Sequence, residues 1–98
     1  MEKTRIDKYL WSIRIFKSRS MATDACREGK IKLNGAVAKS SAIVTTGDLL
    51  DINKDNFRFK YKVVQVIEKR VSAILAKPCY EDLTSEDELN KFKSWFVG

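Results

Sequence analysis

Histidine is absent from this chain, and with it go the commonest general base and the imidazole metal ligand. There is no G-x-x-x-x-G-K-[ST] phosphate loop, no G-x-G-x-x-G, and no cysteine cluster with zinc spacing. The carboxylates are scattered or gathered on the last helical segment, with no apolar pocket around them to tune an acid or a base. Two cysteines, Cys26 and Cys79, are too few and too far apart for a disulfide framework or a metal motif. Cys26 reads as a small hydrophobe. No run approaches the roughly 20 apolar residues of a membrane span, and MEKTRIDKYL lacks an apolar core of signal-peptide length. A length of 98 residues suits one small domain with a modest core and no large catalytic cleft. The expectation is a reduced, cytoplasmic protein that is not an enzyme, needs no cofactor or metal and engages no membrane.

What the chain does have is positive charge, unevenly placed. Residues 1–77 carry 17 Lys and Arg against 8 Asp and Glu, whereas residues 78–98 carry 2 against 5. A basic body with a mildly acidic end favours a polyanionic partner, because the field and counterion release both reward phosphate binding. Ordinary solubility is the plainer explanation of the same numbers.

The stretch Ser18–Gly35, SRSMATDACREGKIKLNG, reads as a capped helix, a glycine stop and a tight hairpin. Ser18 is a good N-cap and Gly29 a good left-handed stop, so the helix runs from about Arg19 to Glu28. Met21, Ala22, Ala25 and Cys26 share a narrow apolar face, and Arg19, Ser20, Thr23 and Arg27 fall on roughly the opposite side. Asp24 is in position to pair with Arg27. Then Lys30-Ile31-Lys32-Leu33 alternates, and Asn34-Gly35 predicts a type I′ turn, placing Ile31 and Leu33 inward and Lys30 and Lys32 outward.

Before this stretch, Ile6, Tyr9, Leu10 and Ile13 give the spacing of an amphipathic helix from about Arg5 to Ile15, with Thr4 as its cap. Arg5, Lys8 and Ser12 gather on another face, and Asp7 lies off to the side near Trp11 and Arg14. No glycine or proline separates this helix from the next, so the two must pack together. Trp11 reads as packing in preference to base stacking.

Beyond the hairpin, Ala36–Ala38 is the return strand and Lys39–Ala42 a connection. Thr46-Gly47-Asp48 turns into a strand over Leu49–Ile52, and Asn53–Asn56 is another turn. Phe57–Ile67 is the clearest strand, its aromatics alternating with Arg58, Lys60 and Lys62, and Val63-Val64 breaks the phase where a bulge or a doubly buried end is expected. Those cations either extend a nucleic-acid surface or guard a sheet edge. A short segment after Ser72, helix or strand, ends before Pro78, Cys79–Leu83 is irregular, and Thr84 or Ser85 caps a last helix reaching about Phe96. Acidic residues at the start of that helix and Lys91 and Lys93 near its end suit the macrodipole.

R-I-D-K-Y-L, K-S-R-S-x-A, G-K-I-K-L-N-G and T-G-D-L-L-D-I occur here in order. Together they resemble the S4 RNA-binding domain over roughly residues 5–52. W-S-I-R-I-F-K-S-R-S makes the chain most similar to the short stand-alone S4 proteins of the bacterial ribosome-associated heat-shock group. The resemblance implies an α+β fold: two short packed helices, then a β-hairpin and small antiparallel sheet, with a C-terminal helix. Residues 1–52 would be the S4 domain and residues 53–98 a C-terminal extension packed on it.

By the same resemblance, structured RNA would lie across the helices and hairpin. The contacts would be Arg5 and Lys8 from the first helix and Lys17, Arg19 and Ser20 from the second, with Arg27 on its outward side. Lys30, Lys32 and Asn34 would serve from the hairpin, and Lys39 and Ser40 just beyond it. The implied partner is ribosomal RNA of the large subunit, with tRNA as a further candidate, bound by a monomer in large-subunit rescue or the heat-shock response. Lys and Arg neutralise phosphates, and Ser or Asn adds a hydrogen bond to phosphate or a 2′-hydroxyl. If about five or six phosphates are neutralised, the logarithmic salt slope is on the order of −4 to −5.

The chain departs from the heat-shock group at its end, where SWFVG follows an acidic segment in place of a basic tail. That ending reads as a trimmed chain or as a helix end that docks on a partner. Two rival readings stay open. One is a DNA-binding helix-turn-helix protein with the second helix in the major groove. The other is a protein-interaction module whose basic face meets an acidic partner.

Overall fold

The apolar stripe of the first helix is the floor of the core: Ile6, Tyr9 and Leu10 are wholly buried and Ile13 nearly so. The computed structural model describes residues 2–90. In chain order its elements are β1 (Lys3–Arg5), α1 (Ile6–Ser12), α2 (Arg19–Arg27), β2 (Ile31–Leu33), β3 (Ala36–Val37), β4 (Ile43–Thr45), β5 (Leu49–Lys54), β6 (Phe57–Val63), α3 (Ala73–Ala76) and β7 (Tyr80–Asp82). Helix α3 is capped by Ser72, whose hydroxyl accepts from Leu75 N–H at 3.4 Å, and ends at Ala76, before Pro78 as expected; a 3-10 turn over Lys77–Cys79 joins it to β7.

Helix α1 is shorter than its periodicity predicts. Arg14 adopts φ +69°, the left-handed conformation that usually falls to glycine at a helix end, and the helix stops before Ile15. Thr4 is not its cap; it is a buried member of β1, paired with Val44. The N-cap is Arg5, which makes no side-chain cap bond. The first amides are satisfied from elsewhere: Ile6 N–H donates to the Ala42 carbonyl at 2.7 Å and Asp7 N–H to the Ser40 carbonyl at 3.4 Å. Helix α2 forms as its sequence predicts. The Ser18 hydroxyl accepts from Met21 N–H at 3.1 Å, Ala22, Ala25 and Cys26 are buried, and only Met21 of the apolar face is exposed. Asp24 makes no ion pair with Arg27.

Asn34 and Gly35 both have positive φ, +50° and +89°, as a type I′ turn demands. The return strand is only Ala36–Val37. A five-stranded antiparallel sheet has the order β3-β2-β5-β6-β7, and β1 and β4 form a separate two-stranded ribbon. Ile31, Leu50, Ile52, Tyr61 and Val63 line one face of the large sheet and share a single core cluster with Ile6, Leu10, Ala22 and Ala25 of the helices. Among the described residues the sheet's other face is covered by no helix of the core and is bordered on one side by Leu83, Ser85 and Glu88.

Two expectations for the second half are corrected. Strand β6 ends at Val63, four residues early, where Val64 N–H and Gln65 N–H both donate to the Cys79 carbonyl at 3.0 Å. Two residues opposite one is the arrangement of a bulge, and it breaks the phase at the expected point. Tyr80–Asp82, read as irregular, is β7 and pairs with Tyr61–Val63 of β6. Next to it the Thr84 hydroxyl accepts from Lys60 N–H at 3.1 Å and the Glu88 carboxylate from Arg58 N–H at 3.2 Å. Strand β6 is therefore interior, and its cations guard no edge. Ser85 caps the last helix, accepting from Glu88 N–H at 3.3 Å. Its expected continuation through Lys91, Lys93, Trp95 and Phe96 lies outside the described residues.

A long-range bond closes the core: the buried Tyr9 hydroxyl donates to the Cys79 carbonyl at 2.7 Å. Tyr9→Phe keeps the packing and loses this bond, while the carbonyl keeps two backbone donors. The expected cost is about 1 kcal/mol. A thermal melt should show Tm about 4–8 °C lower.

Candidate nucleic-acid interface

The centre of the helix pair is a carboxylate. Asp7, in the first turn of α1, has a side chain only 2% exposed. It accepts from Arg5 Nε at 3.2 Å and Arg5 Nη2 at 3.0 Å, from Lys8 N–H at 2.7 Å and from the Thr23 hydroxyl at 3.1 Å. Arg19 Nη2 lies 3.6 Å away. Arg5 is thus held in the two-pronged geometry that guanidinium and carboxylate favour, with Arg19 beside it. The Thr23 hydroxyl also lies 3.0 Å from the Arg19 carbonyl one turn back, so its single proton is shared between that carbonyl and Asp7, which ties Asp7 to the start of α2.

Both arginine side chains remain about half exposed, at 47% and 46%. Each has five N–H donors and presents some to Asp7 and the rest to solvent. Around them Ser20, Thr23, Asp24 and Arg27 complete an open depression of about 430 Å³. Lys8 is half-buried next to Asp7, and the backbone bond from Asp7 to Ser40 brings Lys39 and Ser40 to the start of α1. Lys17 is exposed in the link between the helices. The structure therefore gathers Arg5, Arg19, Ser20 and Arg27 in one depression; Lys8, Lys39 and Ser40 do not line it, although a backbone bond holds Ser40 at the start of α1.

The hairpin cations do not join them. Ile31 is buried under the helices, so Lys32, its neighbour in a strand, projects from the opposite face of the sheet. Lys30 pairs with Glu28 at 2.9 Å and, with Lys32, lines a separate groove on that outer face. Asn34 is exposed but has its amide engaged within the chain: Nδ2 donates to Asp48 Oδ1 at 3.2 Å, and Oδ1 accepts from Leu49 N–H at 2.9 Å. It latches the hairpin to the turn before β5.

Asp7 is the residue that sequence reasoning misplaced. On a helical wheel it lies about 60° from Leu10, at the margin of the apolar stripe and not on the solvent side. That angle was the available signal. Trp11 is half-buried with the Arg70 guanidinium 5.9 Å from its ring centre, which agrees with a packing role.

Burial, with the Asp7 carboxylate second, pushes the Cys26 thiol from 9.0 up to about 11. An unfolded chain releases this proton near pH 9.0, whereas the folded one keeps it. The stability it contributes is fully present below that pH and is lost as pH rises through about 11. Burial also raises the Tyr9 and Tyr61 phenols, so their contribution is lost above the ordinary tyrosine value of 10.0. Thermal melts should show Tm falling from pH 9 upward, and Cys26→Ala should flatten the first part of that fall.

Residues 4–50 match the S4 domain. A heat shock protein 15 homolog of Aeromonas salmonicida is 34% identical over 102 residues, covering 97% of this chain and 77% of that one. The chain belongs to the S4 domain family. An RQC P-site tRNA stabilizing factor of Halalkalibacterium halodurans is 35% identical over 91 residues, 89% of this chain and 97% of its own length. The solved structure of heat shock protein 15 from Vibrio cholerae, described as trimeric, superposes with a TM-score of 0.83 at 27% identity, covering 95% of this chain and 92% of that one. Within this S4 chain the match takes in β1 from Thr4 on, both helices, the hairpin and β4, and so includes the whole depression around Asp7. It stops at the start of β5; most of β5 and the basic strand β6 lie beyond it.

Proposed function

We propose that this S4 protein binds structured RNA through the depression around Arg5 and Arg19 and acts on the ribosome, with large-subunit RNA and tRNA as its partners. The observation that carries the reading is the buried Asp7 carboxylate holding two half-exposed arginine side chains next to each other. Cations fixed before the ligand arrives lose little freedom on binding, and spare N–H donors suit phosphate oxygens. Ser20, Thr23 and Ser40 add hydroxyls of the kind that contact phosphate or a 2′-hydroxyl. The names of the relatives, which speak of heat shock and of a P-site tRNA, support the ribosomal setting and through it a cytoplasmic location.

The role is binding without catalysis. Both thiols are pushed above their ordinary value by burial, which leaves them protonated and poor nucleophiles at neutral pH. The test is co-sedimentation with ribosomal particles at two salt concentrations, with duplex DNA as competitor. The expected result is migration with free large subunits at low salt and release at high salt. Displacement by duplex DNA in preference to structured RNA would overturn it.

A further inference from the structure

We infer that the outer face of the five-stranded sheet is a second RNA-backbone surface, separate from the helix-pair depression. Antiparallel register sets Lys32 of β2 opposite Asp51 of β5, and Asp51 opposite Lys60 of β6. Lys32 and Lys60 therefore stand two strand spacings, about 10 Å, apart on one face. One row on, Arg58 pairs with Asn53, whose N–H donates to the Lys30 carbonyl. In the other direction, Lys62 lies opposite Glu81. Lys30, Lys32, Arg58 and Lys60, with Asp51 and Asn53, line an open groove of about 620 Å³ that Leu83, Ser85 and Glu88 close on one side.

Three observations separate this face from an ordinary solvated one. Strand β6 is hydrogen-bonded on both sides, so protection of an edge does not explain three cations in alternate positions. Among the described residues Lys32, Arg58, Lys60 and Lys62 are in no ion pair, although Asp51 and Glu81 lie directly across from them and Glu88 accepts from the Arg58 amide. The side chains project away from the layer that carries the helices, because Ile31, Ile52 and Tyr61 fill the inner face. Clustered unpaired cations lining an elongated groove suit a polyphosphate strand, which repeats its charge along its length. With cations on two sides, one copy of the protein can hold two RNA segments at once.

This inference stands independently of the helix-pair reading, and the experiment keeps the two apart. Arg5→Gln/Lys8→Gln/Arg19→Gln/Arg27→Gln removes the cations of the helix-pair depression while leaving amide donors for Asp7. In that background, binding of a short structured RNA is followed by fluorescence anisotropy across a salt series. The expected result is residual binding with a logarithmic salt slope of about −2, for two to three neutralised phosphates. Adding Lys32→Gln/Arg58→Gln/Lys60→Gln should abolish it, while Lys32→Arg/Lys60→Arg should retain it. In the otherwise wild-type chain the sheet substitutions alone should lower affinity about tenfold, with an unchanged Tm since all three side chains are exposed. Absence of residual binding, residual binding untouched by the sheet substitutions, or equal binding to polyglutamate of matched charge would overturn the inference.

Discussion

The Arg5→Gln/Lys8→Gln/Arg19→Gln protein is expected to bind structured RNA on the order of a hundredfold more weakly than the wild type at 0.1 M salt. Each neutralised phosphate contributes roughly 0.7–0.9 to the salt slope, so three lost contacts reduce it by about 2–3 and affinity by a similar number of decades per decade of salt. Glutamine is chosen because Arg5 and Arg19 are the counter-ions of a carboxylate only 2% exposed. Alanine at both positions would strip Asp7 and confound weaker binding with a weaker fold. The measurement is a titration at four or more salt concentrations beside a thermal melt. Wild-type affinity with an unchanged slope would remove the helix pair from the RNA surface.

The second large effect is expected at Asp7 itself. Asp7→Ala removes the acceptor for Arg5, Lys8 N–H and Thr23 and leaves two guanidinium groups facing each other. Both arginine side chains are half exposed and recover water, so the loss is set below the figure for a fully buried pair, at about 2–3 kcal/mol. In a domain of this size that corresponds to a Tm lower by about 10–20 °C. Asp7→Asn keeps the shape and is the more informative change. Removing a negative charge from a phosphate site should tighten binding if only the field matters. If Asp7 works by fixing the two arginines, binding should weaken, by about tenfold, with the salt slope unchanged. The sign of the change in Kd decides between them.

Features governed by neighbouring residues were legible in the sequence. Ser18 as a cap, Gly29 as a stop, Asn34-Gly35 as a type I′ turn and the alternation of Phe57–Val63 all depend on a few consecutive side chains, and all are present. Partnerships formed across the chain were hidden. Nothing local in Lys3–Arg5 announces pairing with Ile43–Thr45, and nothing in Tyr80–Asp82 announces an added strand beside β6. The site followed the same division. Periodicity put Arg19, Ser20 and Arg27 on the outward side of α2, where they are, but only the packing of α1 on α2 shows Asp7 between two arginines. Alternation put Lys32 outward correctly, yet which way outward depended on the helices covering Ile31. The left-handed Arg14 ends α1 early without the glycine that would have signalled it.

The bond from Tyr9 to Cys79 spans seventy positions along the chain. During synthesis the helix pair is made long before the 3-10 turn that supplies its closing carbonyl. Non-local contacts of this kind form late and slowly, since the loop between them must be ordered first. The helix pair is thus locked onto the sheet only once the chain has been made as far as Cys79, so α1 and α2 spend the interval without their closing contact.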